Sequence, residues 1–594
     1  MKFSELAGYI EKIENTSSRL EITELLANLY KKLSEEEIDK TTYLLQGRAA
    51  PMYEKTEFSM AEKMVVRAIV LALNLDKKLF DSHYEKIGDL GKTVEFFKKQ
   101  ISLFDEKDLA VTEVFAELYR MAIVSGKGSQ EIKVNILSNL IRQLDSISCR
   151  YLVRIPTGVM RLGFSDMTVL DSLSWMIGGD KSYRSVIEHA YHVRPDLGFI
   201  GRTIKKKGIE ELKYIKPSIF TPILMMRAER LSSGKEIIGK IGECAIEDKY
   251  DGLRLQAHFS KSKGVKLYSR NLEEVTSMYP DIVEGIKKEI HANEVIFEGE
   301  AIGFDPHSGT FLPFQETVQR KRKYDIEKMA RQIPLKLFVF ELLNLEGTTY
   351  LNVPYIERRR KLEKIIRVTG DIFKDTIIVA PEFIAKDEKE IELEFDDAIS
   401  KGLEGIIAKK LSGIYQAGAR GWNWIKFKRS YSAKIEDTID CLIMGFDYGK
   451  GKRTDFGIGA FLVGVYNEDQ DKFVTVAKIG TGLSDIEWKE LKKRCDKYTT
   501  VNKPVLYDVD KAMSVDIWVK PVLVAEIRAD EISRSPVHTA GRKMKPTKTR
   551  NAVKIDIPGF ALRFPRLERF RDDKRPEDVT TLKELDKMFH SQKK

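Results

Sequence analysis

Apolar side chains recur every three or four positions from the N-terminus to about residue 212, as in ITELLANLYKKL at Ile22–Leu33. That period predicts helices sharing a buried face. SEEE at Ser34–Glu37 has the spacing of a capping box and predicts the start of the next helix. The texture then changes. KPSIFTPILMMRAERLSSG, with Pro217 and Pro222, reads as an extended linker. Beyond it, short alternating strands and turns are interleaved with helical stretches such as EEVTSMYPDIVEGIKKEI. A third texture follows WIKFKRSY. DCLIMGFDYGKGKRTDFGIGAFLVGVYNED is built of short strands and glycine turns, the pattern of a small barrel. The expectation is a multidomain chain: all-α over 1–212, α/β (α+β) over 213–428 and all-β over 429–594.

Composition changes this picture little. In 594 residues, 100 Lys and Arg face 90 Asp and Glu, and the pI near 8.9 leans only modestly toward an anionic partner. Three basic runs stand out, IKKKG at Ile204–Gly208, QRKRKYD at Gln319–Asp325 and ERRRKLEK at Glu357–Lys364. Each reads either as a solvated face or as a phosphate contact. The four cysteines lie far apart, which suggests neither a disulfide framework nor a zinc cluster and fits reduced thiols in the cytoplasm. The N-terminal MKFSELAGYIEKIENTSS lacks the apolar stretch of a signal peptide, and no apolar run approaches bilayer length.

The chemistry begins with AIEDKYDGLRLQAHF at Ala245–Phe259. If this is a strand, Glu247 and Lys249 share a face, and Gly252 allows a tight turn or the close approach of a ligand. Lys249 is then either a nucleophilic amine in a pocket or a surface lysine beside a DG turn. FEGEAIGFD puts Glu298 and Glu300 on one strand face, suited to a ribose hydroxyl or a hard divalent cation, or simply wet. LFVFELLNLEG offers Phe338 and Phe340, for a purine or for the core. LEGIIAKK pairs Glu404 with Lys409. WNWIKFK aligns Trp424, Lys426 and Lys428 opposite Ile425 and Phe427, and two lysines on one face repel unless an anion lies between them. RFPRLERFRDDK at Arg563–Lys574 gathers four arginines and a lysine.

In this order the segments resemble the ATP-dependent DNA ligases of the nucleotidyltransferase superfamily. KYDGLR resembles the adenylation motif, followed by SRN (Ser269–Asn271), EGE, the aromatic element FVFELL, EGIIAK, WIKFK and finally RFPRLERFRDDK. The helical third, with RYLVRIPTGVMRLGFSDMTVLD, is similar to the family's DNA-binding domain, and KGKRTDFGIGAFLVGVY with AKIGTGLSD to its OB-fold domain.

The resemblance implies ATP as cofactor, a covalent lysine–AMP intermediate on Lys249, and Mg²⁺, or Mn²⁺ in its place. It implies sealing of nicked duplex DNA in replication, repair and recombination. Glu247 is expected to accept the adenine amino group and Phe340 to stack on the base. Arg254 and Glu300 should hold the ribose region, and Arg270 a phosphate. Glu404, with Glu300, should hold the metal, while Lys409, Arg420, Lys426 and Lys428 should neutralise the α-phosphate. Arg566, Arg569, Arg571 and Lys574 should close over the pyrophosphate and then swing away. A monomer in the nucleoid, binding DNA through backbone and minor groove, completes the expectation.

Two features depart from the family. Phe340-Glu341 stands where Phe-Asp is usual, and Lys543–Pro558 is longer than expected. QISLFDE at Gln100–Glu106 resembles a sliding-clamp peptide through Gln100–Phe104, or else supplies core contacts. Three alternatives carry discriminators. An RNA ligase or capping enzyme would lack the helical third, an NAD-dependent ligase would carry a cysteine zinc site, and a noncatalytic nick binder would need no nucleophile.

Overall fold

The computed structural model describes residues 1–101, 106–307, 309–312, 314–322, 324–367, 369–401, 403–428, 438–449, 457–480, 483–546 and 553–591. Two units emerge, Met1–Lys428 and Arg429–Lys594. The first opens with twelve α-helices among the described residues, from Phe3–Glu14 to Leu197–Lys207. Their apolar stripes, including Leu26, Leu29, Tyr30, Val65 and Leu137, meet in one core. The helix Glu35–Leu45 begins as its capping box predicts, with Glu37 Oε2 accepting the Ser34 N–H at 2.9 Å. Buried Arg154 is held at 3.0 Å by Glu14 and 2.7 Å by Asp89, which compensates for its removal from water. Gln100 ends the helix Leu90–Gln100 and is exposed. Ser102–Asp105 of the clamp-like peptide lie outside the described residues.

After the extended linker, two sheets form the rest of this unit. The first runs, in spatial order, Arg227–Arg230, Arg420–Lys428, Gly405–Lys410, Cys244–Asp248 and Glu382–Ala385. Alternation decides what its faces do. Ile425 and Phe427 turn inward with Ile246 and Ile406 against the helices Gly234–Ile241 and Glu388–Ser400, Phe427 stacking on Phe395 at 3.9 Å. Burying such side chains contributes roughly 1.5–3 kcal/mol each and fixes the opposite direction for Lys426 and Lys428.

The second sheet runs Gly264–Ser269, Leu253–Ser260, Glu294–Asp305, Leu335–Leu345 and Thr348–Thr349. Its apolar face is covered by the helices Pro280–Glu289 and Tyr355–Ile365 through Ile282, Ile286, Leu362 and Ile365. The helical signal in EEVTSMYPDIVEGIKKEI is thus realised only from Pro280, which supplies the preset φ of a first helical position. Tyr53 of the helical region packs on Tyr268 of this sheet and on Leu272 in the turn after it, and Lys55 pairs with Glu274 at 2.9 Å.

In the second unit, Ile439–Asp447, Ala460–Asn467 and Lys472–Ile479 form an antiparallel meander. Val524–Arg528 joins the first of these to Arg566–Phe570. Strands dominate, but the helices Asp485–Asp496 and Leu582–Ser591 also enter the core through Trp488, Leu491 and Leu585. Within the long Lys543–Pro558 stretch, Lys543–Pro546 pairs with Val553–Ile557 as a two-stranded hairpin. Lys450–Phe456 of the barrel-like segment, together with Thr481 and Gly482, lie outside the described residues. All four cysteines are buried and free, and among the described residues no helix is long and apolar enough to cross a membrane.

Candidate active site

A cavity of about 390 Å³ lies between the two sheets of the first unit. Lys249, Glu247, Lys409 and Lys426 line it from one sheet, and Arg254, Glu300 and Phe340 from the other. Arg270, at the turn after Gly264–Ser269, and Arg420 also reach it.

The strand carrying the lysine ends at Asp248, so Lys249 stands one residue beyond it. Its backbone remains tied to the sheet, the N–H donating to Gly405 O at 2.8 Å and the C=O accepting from the Glu404 N–H at 3.3 Å. Gly405 makes this possible. At φ +138° it sits where L side chains are strained, and a Cβ there would fall 2.1 Å from Phe427 O. Gly252 lines the cavity and also permits close approach to the chain itself: a Cβ would lie 2.5 Å from Ala301 O.

Lys249 Nζ is in contact with Glu404 Oε2, and Lys428 Nζ lies 3.0 Å from the same oxygen. Burial works to raise the Glu404 carboxyl, but the two lysines prevail and hold it below the usual range. Glu300 behaves oppositely. Burial pushes it up to about 7 against the pull of Lys249 and Arg254, with Asp251 and Glu404 adding to the rise. Lys426 is pushed down to about 8 by burial and by Arg230, Lys428, Lys249 and Arg420. Among the described residues neither Arg420 nor Lys426 has a carboxylate partner within ion-pair distance.

The carboxylates of FEGEAIGFD do not act as a pair. Their strand pairs with Leu253–Ser260 in unbroken register, so both start from one face, and the bulge against Leu335–Leu345 adds its extra residue, Phe340, to the partner strand. Glu298 is fully buried, accepting from Arg254 at 2.6 Å, Gln256 at 2.9 Å and Tyr415 at 2.9 Å, and only Glu300 lines the cavity. The two phenylalanines separate likewise: Phe338 stacks on Tyr250 in the core at 4.3 Å, while Phe340 lines the cavity edge-on to Trp424. Arg254 also donates to Met226 O at 2.8 Å, and its Nε is buried without a partner.

Lys409 does not stand free beside Lys426. It is 1% exposed, bonded to Glu247 at 2.7 Å and to Phe340 O at 2.9 Å, and surrounded by the rings of Phe340, Tyr355 and Trp424. Burial lowers its pKa, with Glu247 opposing. Burial raises that of Glu247, with Lys409 and Arg359 opposing.

The basic run ERRRKLEK is divided: Arg360, Lys361 and Lys364 are exposed, while Arg358 and Arg359 are buried. Arg358 makes a two-pronged buried pair with Glu341, both bonds 2.7 Å, so the longer acid after Phe340 reaches a guanidinium beneath the sheet. Arg359 lies 3.5 Å from Glu247. Tyr355 on the same helix, which sequence reasoning missed, touches Glu247 directly at 2.7 Å. Only the density of arginines hinted at this, since buried charge on a helix must be paired. In QRKRKYD, Arg320 is buried against Asp281 at 2.8 Å, while Lys321 lines the cavity.

The C-terminal cations belong to the second unit and are paired within it. Arg566 bonds Asp530, Arg569 bonds Glu526 at 2.6 Å, Arg571 bonds Asp440 at 3.0 Å and Asp573 at 2.8 Å, and Lys574 bonds Asp440 at 2.6 Å.

Three family profiles match the chain: DNA ligase N terminus over residues 2–174, ATP dependent DNA ligase domain over 225–428, and ATP dependent DNA ligase C terminal region over 454–574. A protein of Dictyoglomus thermophilum described as a probable DNA ligase is 46% identical over 595 residues, covering 100% of this chain and 98% of that protein. A DNA ligase of Saccharolobus solfataricus is 40% identical over 608 residues, with coverage of 100% and 98%. The solved structure designated Pmar-Lig_PreS3 shares the fold, with a TM-score of 0.53 at 16% identity over 95% of this chain and 99% of its own.

Proposed function

Because this chain belongs to the family of ATP-dependent DNA ligases, we propose that the cavity between its two sheets is the adenylation centre and that Lys249 is the residue adenylated there. The protein is an enzyme that seals nicks in duplex DNA, joining a 5′-phosphate to the adjoining 3′-hydroxyl with ATP. We place the second unit with the OB folds and the physiological setting in replication, repair and recombination.

The reading of the site rests on one observation: an amine held at the mouth of a cavity by a carboxylate it shares with a second lysine, beside cations that lack carboxylate partners. In the first step Lys249 Nζ, having released a proton to solvent, attacks the α-phosphorus of ATP; the bond to the bridging oxygen breaks, pyrophosphate leaves, and the nitrogen sheds a second proton to give a phosphoramidate with a neutral nitrogen. In the second an oxygen of the nick's 5′-phosphate attacks that phosphorus and the P–N bond breaks, passing AMP to DNA. In the third the 3′-hydroxyl, giving up its proton, attacks the 5′-phosphorus and AMP departs.

In-line phosphoryl transfer spreads negative charge over the equatorial oxygens, so what the protein supplies is fixed positive charge. Arg420, Lys426 and Lys428 provide it and relieve their mutual repulsion in doing so. Glu247 accepts from the adenine amino group, Phe340 covers the base, and Arg270 takes a phosphate. The unpartnered Nε of Arg254 suits a ribose oxygen, with Glu300 beside it.

A hard divalent cation fits Glu300 and Glu404, because ions of this type are held by one or two carboxylates together with substrate phosphates. No group of three or more His, Cys, Asp or Glu able to hold a metal occurs among the described residues. Bound there, Mg²⁺ would supply charge neutralisation at the phosphates.

The test is incubation with ATP labelled at the α-phosphate, followed by nicked duplex. Wild type should take up label and release it to the nick, and Lys249→Ala should lose uptake by about 10⁴-fold or more. Uptake by the variant would remove Lys249 from the role.

A further inference from the structure

Behind Glu247 lies a shell that controls how its carboxyl can bond. Tyr355 Oη lies 2.7 Å from Glu247 Oε1 and 2.7 Å from Glu382 Oε2. A hydroxyl has one proton, so if both contacts are hydrogen bonds the second proton comes from a carboxyl. On the other side Lys409 Nζ lies 2.7 Å from Glu247 Oε2 while also donating to Phe340 O at 2.9 Å. An ammonium only donates, and a neutral amine still has an N–H for each of these two contacts, so Lys409 serves Oε2 as a donor. Any proton on Glu247, which burial favours, therefore sits on Oε1 facing Tyr355. In either ionisation state Oε2 presents a lone pair.

We propose that Tyr355 and Lys409 together make Glu247 an acceptor-only reader of the purine 6-position, so that the amino group of adenine is taken and the carbonyl of guanine or hypoxanthine is refused. This rests on the reading of Glu247 as the adenine contact. Tyr355 is a positioning residue and touches no substrate. Without its hydroxyl, Glu247 can turn a protonated oxygen outward and donate to a purine carbonyl. A site built to hydrogen-bond one polar group refuses its counterpart strongly, because mismatched buried polar groups are left unpaired.

The experiment measures kcat/KM for self-nucleotidylation of the full chain with ATP and with ITP, alongside thermal melting. Tyr355→Phe should lower the ATP/ITP ratio at least about tenfold, and Glu247→Gln, whose amide can donate, should lower it further. A merely structural role for Tyr355 would depress both nucleotides together and leave the ratio unchanged. If Glu247→Gln lowers the ratio and Tyr355→Phe does not, the proposal is overturned while the base-reading role stands. If Glu247→Gln leaves the ratio intact, both fall. Should Tyr355→Phe fail to fold, Lys409→Met carries the same test, with an unchanged ratio again overturning the proposal.

Discussion

In the reading proposed above, the cations of the cavity and those of the C-terminal segment serve the same kind of ligand, and the structure shows them in opposite resting conditions. Among the described residues Arg420 and Lys426 stand without carboxylates, and Lys426 is held down near 8 by burial and its neighbours. Arg566, Arg569, Arg571 and Lys574 are each matched by an acid of their own unit. The first set is preorganised: an arriving polyphosphate removes a repulsion, and nothing has to be broken. The second set must give up existing partners before it can hold an anion. The pairs of Arg566 and Arg569 are exposed enough for exchange to cost little, whereas Arg571 and Lys574 share the buried Asp440, whose release costs more. We propose that the first set stays through all three steps and the second leaves, which is the division that the pairing pattern suggests.

The sharpest way to break this contrast is to remove cations from the exchangeable set. Arg571→Ala with Lys574→Ala should reduce self-adenylation by about 10³-fold while reducing the sealing of pre-adenylated nicks less than about tenfold. Equal losses would mean that the segment does not act selectively in the first step. Truncation after Pro558 would be a poorer test, since it strips Phe560, Leu562, Leu567 and Leu585 from the core of the unit.

In the permanent set, Lys426→Ala should cost about 10²-fold in both assays. Loss confined to one would place Lys426 with the exchangeable group.

The smallest effect is in pH. Glu300, raised to about 7, must be ionised to accept, and Lys426, lowered to about 8, must be protonated to neutralise phosphate. In the free enzyme kcat/KM for adenylation should therefore fall about tenfold per unit below the first value and above the second. Glu300→Gln should flatten the acid limb alone. An acid limb persisting unchanged in that variant would assign it to another group.

The legible part of this molecule was what periodicity and short motifs encode. Alternation in WNWIKFK fixed which side Lys426 and Lys428 face, because burying Ile425 and Phe427 leaves no other register. The helical third and the change of texture at the linker were equally plain. What the chain did not disclose was where long polar side chains end. Arg358 and Arg359 read as solvent-facing or as phosphate contacts because charged helix positions normally are, yet both lie under the sheet against Glu341 and Glu247. Lys409 has the same residue type as Lys426 but sits opposite Trp424 in the pairing and is enclosed by rings. Glu298 and Glu300 share the face that alternation gives them, but Arg254, Gln256 and Tyr415 engage the first and leave only the second at the cavity, which alternation does not encode.

Gly405 carries a further consequence, for heredity. Its carbonyl receives the Lys249 N–H, and its backbone lies where a single added methyl would strike Phe427 O at 2.1 Å. The codon for this glycine is thus among the least free to drift in the gene, although its side chain is a hydrogen atom and performs no chemistry. A saturation library at position 405, selected for growth on ligase activity, should return glycine codons almost alone, while the neighbouring Ile406 admits other apolar residues of similar volume.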